Sequence, residues 1–269
     1  MESFLSPLSA EKVTDKIDLI EGAVHRALLG HVYRSPENPG RDALVLKSTL
    51  HPSKPGLSKL EGQARMLHDL ASIELQAMEL AFRTLNEFPD AKSEFREALA
   101  ELTLSEASHL QLCLNRIQEL GFQWGHWPVH LGLWSATAKE DSLIDRLLIV
   151  HRYLEGSGLD AGETLLQRLA AVNSPGTKAV VQKIFHDEIG HVEFGTRWFR
   201  YFCESEGLDP DHHFKSRITD LTERLPKRLE PVSHKLRIQA GFNQAELDFL
   251  EERRLTQAKY APSRFRERQ

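Results

Sequence analysis

Two tetrads of one form, Glu106-Ala107-Ser108-His109 and Glu188-Ile189-Gly190-His191, each follow a lone glutamate at nearly the same distance. Glu74 lies 32 residues before Glu106, and Glu155 lies 33 residues before Glu188. Residues three apart on a helix share a face, so each tetrad presents a carboxylate beside an imidazole. A chain that repeats this arrangement almost in register is built from two similar halves.

The segments carrying these residues read as helices. Residues 13–30 have apolar positions at helical spacing (Val13, Ile17, Ile20, Val24, Leu28), which predicts a leading helix. Residues 34–57 contain Pro36, Pro39, Gly40, Pro52, Pro55 and Gly56, and this density of breakers predicts an extended arm, not a packed element. Ser58-Lys59-Leu60-Glu61 has the form of a capping box opening a helix that runs to Phe88, before Pro89-Asp90. A second helix spans 91–120 and closes at Gly121; a third spans 142–171 and ends at Asn173-Ser174-Pro175-Gly176; a fourth spans 178–207. Further helical pieces are expected at 211–225 and 244–258.

Short turns join the first helix to the second and the third to the fourth, while roughly twenty residues join the second to the third. Two antiparallel hairpins with one long crossover is the connectivity of ferritin-like four-helix bundles. The expected architecture is all-α: an N-terminal helix and arm (1–57), a ferritin-like bundle (58–207), and a C-terminal helical extension with a polar tail (208–269).

One glutamate from each of two helices and a Glu-x-x-His from each of the other two is the ligand set of di-metal carboxylate bundles. The candidate metal ligands are therefore Glu74, Glu106, His109, Glu155, Glu188 and His191. Their helical neighbours support an inward orientation: Leu70, Ala71, Ala77 and Met78 flank Glu74, and Ile184, Phe185 and Val192 flank Glu188. Buried carboxylates need a compensating charge, which two divalent cations would supply. A bundle held together by Glu–His hydrogen bonds without metal is the alternative. Oxygen-rich sites with one imidazole per ion suit iron, with an iron–manganese pair or manganese as alternatives, and dioxygen is the expected co-substrate.

Several neighbours carry two readings each. Asp187 either orients His191 from behind or is a surface acid. His151, one turn before Glu155, is a seventh ligand, a proton donor or a satisfied core histidine. Arg152 either pairs with the carboxylates or faces solvent. Gly158 and Gly162 either open space beside the metals or permit close helix packing. Trp124, Trp127, His130 and Trp134 in the crossover form a lid, a base-stacking surface or a cover for the bundle end.

Composition adds the setting. Hydrophobic residues make up 41% and charged residues 27%, as in ordinary globular proteins. Two cysteines, Cys113 and Cys203, provide no disulfide framework, the first residues lack a signal-peptide pattern, and no apolar run is long enough for a bilayer; a cytoplasmic protein is expected. Residues 215–268 hold 13 Lys and Arg against 8 Asp and Glu, leaving 21 against 31 in residues 1–214. This basic end is either a solvated helical surface or a contact for RNA, in which case Lys227, Arg228 and Arg237 are the residues to neutralise.

The stretches His68–Ala77, Glu106–His109, Trp127–Trp134, Glu155–Asp160, His186–Val192, Arg197-Trp198-Phe199 and Ala240-Gly241-Phe242 resemble the bacterial ferritin-like proteins of domain-of-unknown-function family 455. The resemblance covers residues 55 to 250 or so and implies a fold and a metal site, not a reaction. Leu131 and Ala161-Gly162-Glu163 depart from the family's pattern and leave the ligands untouched. At ligand-pattern level the chain is also similar to the tRNA hydroxylases of methylthio-isopentenyl adenosine, which use dioxygen at a di-iron centre.

Three functions follow as expectations. The first is an oxygen-dependent di-iron oxidase or hydroxylase acting on a small molecule or a tRNA, served by a separate electron donor. The second is iron handling, by ferroxidase activity or storage. The third is a binding module stapled by structural metals. A monomer or homodimer is expected in preference to a cage.

Overall fold

The computed structural model describes residues 4–46, 55–227 and 229–259. The described residues are helical apart from loops and one isolated parallel bridge between Val45 and Val129. No described helix is long and apolar enough to cross a membrane. The chain divides into two compact units, one made of residues 1–135 and 168–180, the other of 136–167 and 181–269.

In the first unit, helix α1 (Val13–Leu28) packs on the pair formed by α2 (Leu60–Glu87) and α3 (Ser93–Glu119). The turn 88–92 joins α2 to α3, and Gly121, with φ +85°, takes the left-handed conformation just past the end of α3 that glycine adopts without steric cost. The start of α2 corrects the expected capping box. Lys59, not Ser58, is the capping residue, and no side chain caps the helix. The first turn is fixed instead by the approach of Gly62 to the Gly56 carbonyl oxygen, which a β-carbon at Gly62 would meet at 2.1 Å, and by Gln63 Nε2 donating to Leu57 O at 2.9 Å.

The arm is packed, contrary to expectation. Tyr33 and Ala43 are buried, and the arm bonds the crossover through Leu46 N to Val129 O and Val129 N to Leu44 O, both 2.8 Å. Trp134 Nε1 donates to Glu37 O at 2.9 Å and Trp124 Nε1 to Asp42 Oδ1 at 2.7 Å. Prolines suit such a segment because they fix the backbone without needing their own donors. Pro52 lies outside the described residues, as do the rest of 47–54.

Gln76 of α2 fastens the crossover. Its Nε2 donates to His130 O at 3.0 Å, and its Oε1 accepts from Leu133 N and Trp134 N at 3.1 and 3.2 Å. Three residues further along, Glu79 is wholly buried and neutralised by Lys16 at 2.9 Å and by both Nη atoms of Arg41. Burial lowers the Lys16 ammonium from its ordinary range, and Glu79 opposes that shift.

In the second unit, α4 (Leu143–Leu147) is capped by Ser142, whose hydroxyl accepts from Asp145 N at 3.1 Å. It continues as a π-helix (Leu148–Leu154) and then as α5 (Glu155–Ala170). The expected single α-helix over 142–171 is thus interrupted just before Glu155, where single-turn π segments commonly mark functional sites. Helix α6 (Pro175–Ser205) begins with proline in its first turn, as the missing N–H permits. Helices α7 (Pro210–Asp220), α8 (His234–Gln239) and α9 (Gln244–Lys259) follow, α8 being absent from the sequence reading. Ion pairs tie α7 and the turns after it to the segment before the π-helix: Arg217 to Asp145 at 2.7 Å and Arg224 to Asp141 at 2.8 Å.

Candidate metal centre

Within the hairpin of α2 and α3, Glu74, Glu106 and His109 meet as buried side chains. His109 Nδ1 stands 3.4 Å from Glu74 Oε2 and 3.6 Å from Glu106 Oε2. On α6, His191 Nδ1 stands 3.4 Å from Glu188 Oε1. These separations are long for a hydrogen bond involving an imidazole N–H. Two donors bound to one ion at about 2.1 Å each, with ordinary ligand angles, are about 3.0–3.5 Å apart. The spacing fits co-ligands better than hydrogen-bonded partners.

His151 provides the contrast. Its Nδ1 lies 2.8 and 2.9 Å from the two oxygens of Glu155, which is hydrogen-bond distance. An ionised carboxylate only accepts, so Nδ1 donates to Glu155, while Nε2 has no hydrogen-bond partner among the described residues. The ring is wholly buried, with the edge of Phe194 at 5.3 Å between centroids.

Glu106, His109, Glu188 and His191 are all buried, and one ligand atom from each lies within 4.8 Å of the others, a group able to hold a metal ion. Glu74 stands beside His109 in the first unit, and Glu155 is engaged by His151 in the second. Beside this site, burial, reinforced by the Glu74 carboxylate, pushes the Cys113 thiol well above its usual range, so it remains a neutral, inert sulfur.

The flanking residues resolve as follows. Asp187 is half-buried and pairs with Lys183 on its own helix. Arg152 faces neither the carboxylates of the site nor solvent. It is wholly buried, 2.9 Å from Glu246 Oε2, with its guanidinium 4.7, 4.4 and 4.4 Å from the ring centres of Phe199, Phe214 and Phe242. Burial lowers its pKa to about 10, against the pull of Glu246, and it stays charged at neutral pH. Gly162 serves packing: a β-carbon there would lie 2.1 Å from the Phe185 ring. At Gly158 a β-carbon would meet nothing within 4 Å.

Among the described residues of the basic end, Arg217, Arg224, Arg237 and Arg254 form internal ion pairs. Arg237 is wholly buried and holds Asp160 through Nε and Nη2 at 3.0 and 2.9 Å, so it is unavailable to a nucleic acid. Lys227 is exposed, and Arg228 lies outside the described residues. In the crossover, Trp124 stacks on His68 at 4.7 Å and Gly125 N donates to His68 Nε2 at 3.1 Å, so these aromatics cover the start of α2.

Sequence reasoning missed Gln76, Glu246 and Asp160 as structural partners and Gly195 as a contact. A β-carbon on Gly195 of α6 would lie 2.3 Å from His151 Cβ. Glycine one turn after His191 was the available signal for that approach.

A family model described as "Protein of unknown function (DUF455)" matches residues 9–248. An uncharacterized protein of Haemophilus influenzae is 32% identical over 200 residues, covering 71% of this chain and 69% of that protein. No solved structure matches the chain.

Proposed function

The chain belongs to the DUF455 family, whose description carries no activity, and from the site itself we propose a di-iron carboxylate protein that consumes dioxygen. The observation that carries this reading is the buried group of Glu106, His109, Glu188 and His191 with ligand atoms within 4.8 Å of one another. In the proposed arrangement Glu74, Glu106 and His109 serve one ion, Glu155, Glu188 and His191 the other, in a ferritin-like bundle. The donor set of four carboxylates and two imidazoles favours iron or manganese over zinc, which takes fewer ligands and more nitrogen or sulfur.

Bound iron would supply electrons to dioxygen. The residues of this chain orient and shield the site. His109 and His191 present Nδ1 to the carboxylates on their own helices, and His151 holds the carboxylate of Glu155 through a short hydrogen bond. Burial keeps bulk water from the carboxylates of Glu74 and Glu106.

Elemental analysis of full-length protein purified without chelators should give close to two metal ions per chain, mostly iron. Anaerobically reduced, iron-loaded protein should then take up dioxygen when it is admitted. Iron present without uptake would reduce the reading to a structural metal site, and no metal at all would remove it. Gel filtration separates an oxidase from a storage protein, since a monomer or dimer elutes far behind a multi-subunit cage.

A further inference from the structure

Three consecutive side chains of the π segment are tied to three different places. His151 bonds Glu155 at 2.8 Å, Arg152 meets Glu246 of α9 at 2.9 Å, and the Tyr153 hydroxyl donates to Pro226 O at 2.8 Å. A π-helix runs i→i+5 and is rare outside single turns, so its register needs support from outside the backbone. An α-helix advances by about 100° per residue. A slip of the segment by one residue into α register would therefore swing everything on one side of it by about that angle, and Glu155 is the first residue beyond it.

The C-terminal helices hold both flanks of that point. Glu246 is itself fixed: its N–H donates to Asn243 Oδ1 at 2.9 Å, its Oε2 accepts from Asn243 N at 3.1 Å, and its Oε1 takes Arg200 at 3.1 Å. On the other side, Arg237 of α8 grips Asp160 of α5 and lies flat over Gly156, where a β-carbon would come 2.7 Å from Nη1. A wholly buried guanidinium with a buried carboxylate cannot shift without leaving a charge unpaired.

We propose that Arg152–Glu246 and Arg237–Asp160 are positioning pairs, by which α8 and α9 lock the π segment in the register that aims Glu155 at the metal ions. The proposal rests on the reading of Glu155 as a ligand. Its test uses metal-stripped, full-length protein titrated with Co(II), following visible absorption, bound metal and thermal melting. Glu155→Gln tests the ligand reading. The double variant Arg152→Met/Glu246→Gln removes both charges at once, so neither is left unpaired, and Arg152→Lys keeps the charge while losing the planar fork.

Both Arg152 variants should melt cooperatively, bind Co(II) about 10- to 100-fold more weakly than the parent, and show an altered cobalt spectrum. Should the double variant fail to fold, Arg152→Lys is read alone. If Glu155→Gln weakens binding while the Arg152 variants keep the parental affinity and spectrum and only melt earlier, the pairs are merely structural and the proposal is overturned. If Glu155→Gln leaves cobalt binding unchanged, the ligand reading fails and the positioning role fails with it, whatever the Arg152 variants do.

Discussion

Gly195 of α6 lies flush against His151: a β-carbon at Gly195 would fall 2.3 Å from His151 Cβ and 3.2 Å from its carbonyl carbon. Those neighbours are the root of a side chain and the backbone of the π segment, which cannot swing away as a side-chain tip can. Gly195→Ala should therefore cost about 1–3 kcal/mol, the range for overpacking a close contact. Denaturant unfolding measures it, and a loss below a few tenths would show that α6 stands further from the π segment than the structure places it.

Metal should stabilise the fold, since a ligand that binds only the native state adds to its free energy. Ferrous or manganous ion at a thousand times its dissociation constant should add about 4 kcal/mol to the stripped protein. Glu106→Gln keeps the side-chain shape and removes the negative charge. It should abolish most of that gain while leaving the stripped protein folded. Melting curves with and without metal decide it, and equal gains in parent and variant would exclude Glu106 as a ligand.

How much of this could be read before folding depends on the range of the cause. The Gly121 terminator and the repeated Glu-x-x-His are local patterns, and each is found where local stereochemistry puts it. The π segment was not legible, because its side-chain pins include partners as distant as Glu246, 94 residues away from Arg152. Arg152 in particular reads as a partner of the site carboxylates or a solvent-facing base until the ring faces of Phe199, Phe214 and Phe242 are assembled around it. Ser58 shows the converse. Its capping motif is intact in the sequence, yet the close approach of Gly62 to Gly56 fixes the helix start without it.

Acid should weaken the protein through His68. Burial, chiefly, lowers this imidazole from 6.5 to about 4, so the folded state resists a proton that the unfolded chain accepts. The sign follows: the contribution is intact above pH 6.5 and is lost as the pH falls toward 4, by about 3 kcal/mol at most. His68→Phe keeps a ring against Trp124 but cannot titrate, and its unfolding free energy should depend less steeply on pH over that interval. Parallel slopes for parent and variant would refute the assignment.

Gln76→Leu should free the crossover. It removes the acceptor of two N–H groups and the donor to His130 O, a loss of about 1–3 kcal/mol with the residual polar groups partly rehydrated. Hydrogen exchange at Leu133 and Trp134 should accelerate far more than at α3. Uniform acceleration throughout the first unit would mean that Gln76 supports the whole unit and not the crossover alone.

The pairing of the arm with the crossover also orders events in time. Tyr33 waits for Asn86, Asp42 for Trp124 and Glu37 for Trp134, partners 53, 82 and 97 residues further along. Translation delivers them seconds after the arm has left the ribosome. Until then the 37–46 part of the arm lacks its crossover partners, so a nascent chain arrested before Trp124 should present that part to proteases and chaperones that the finished protein no longer admits.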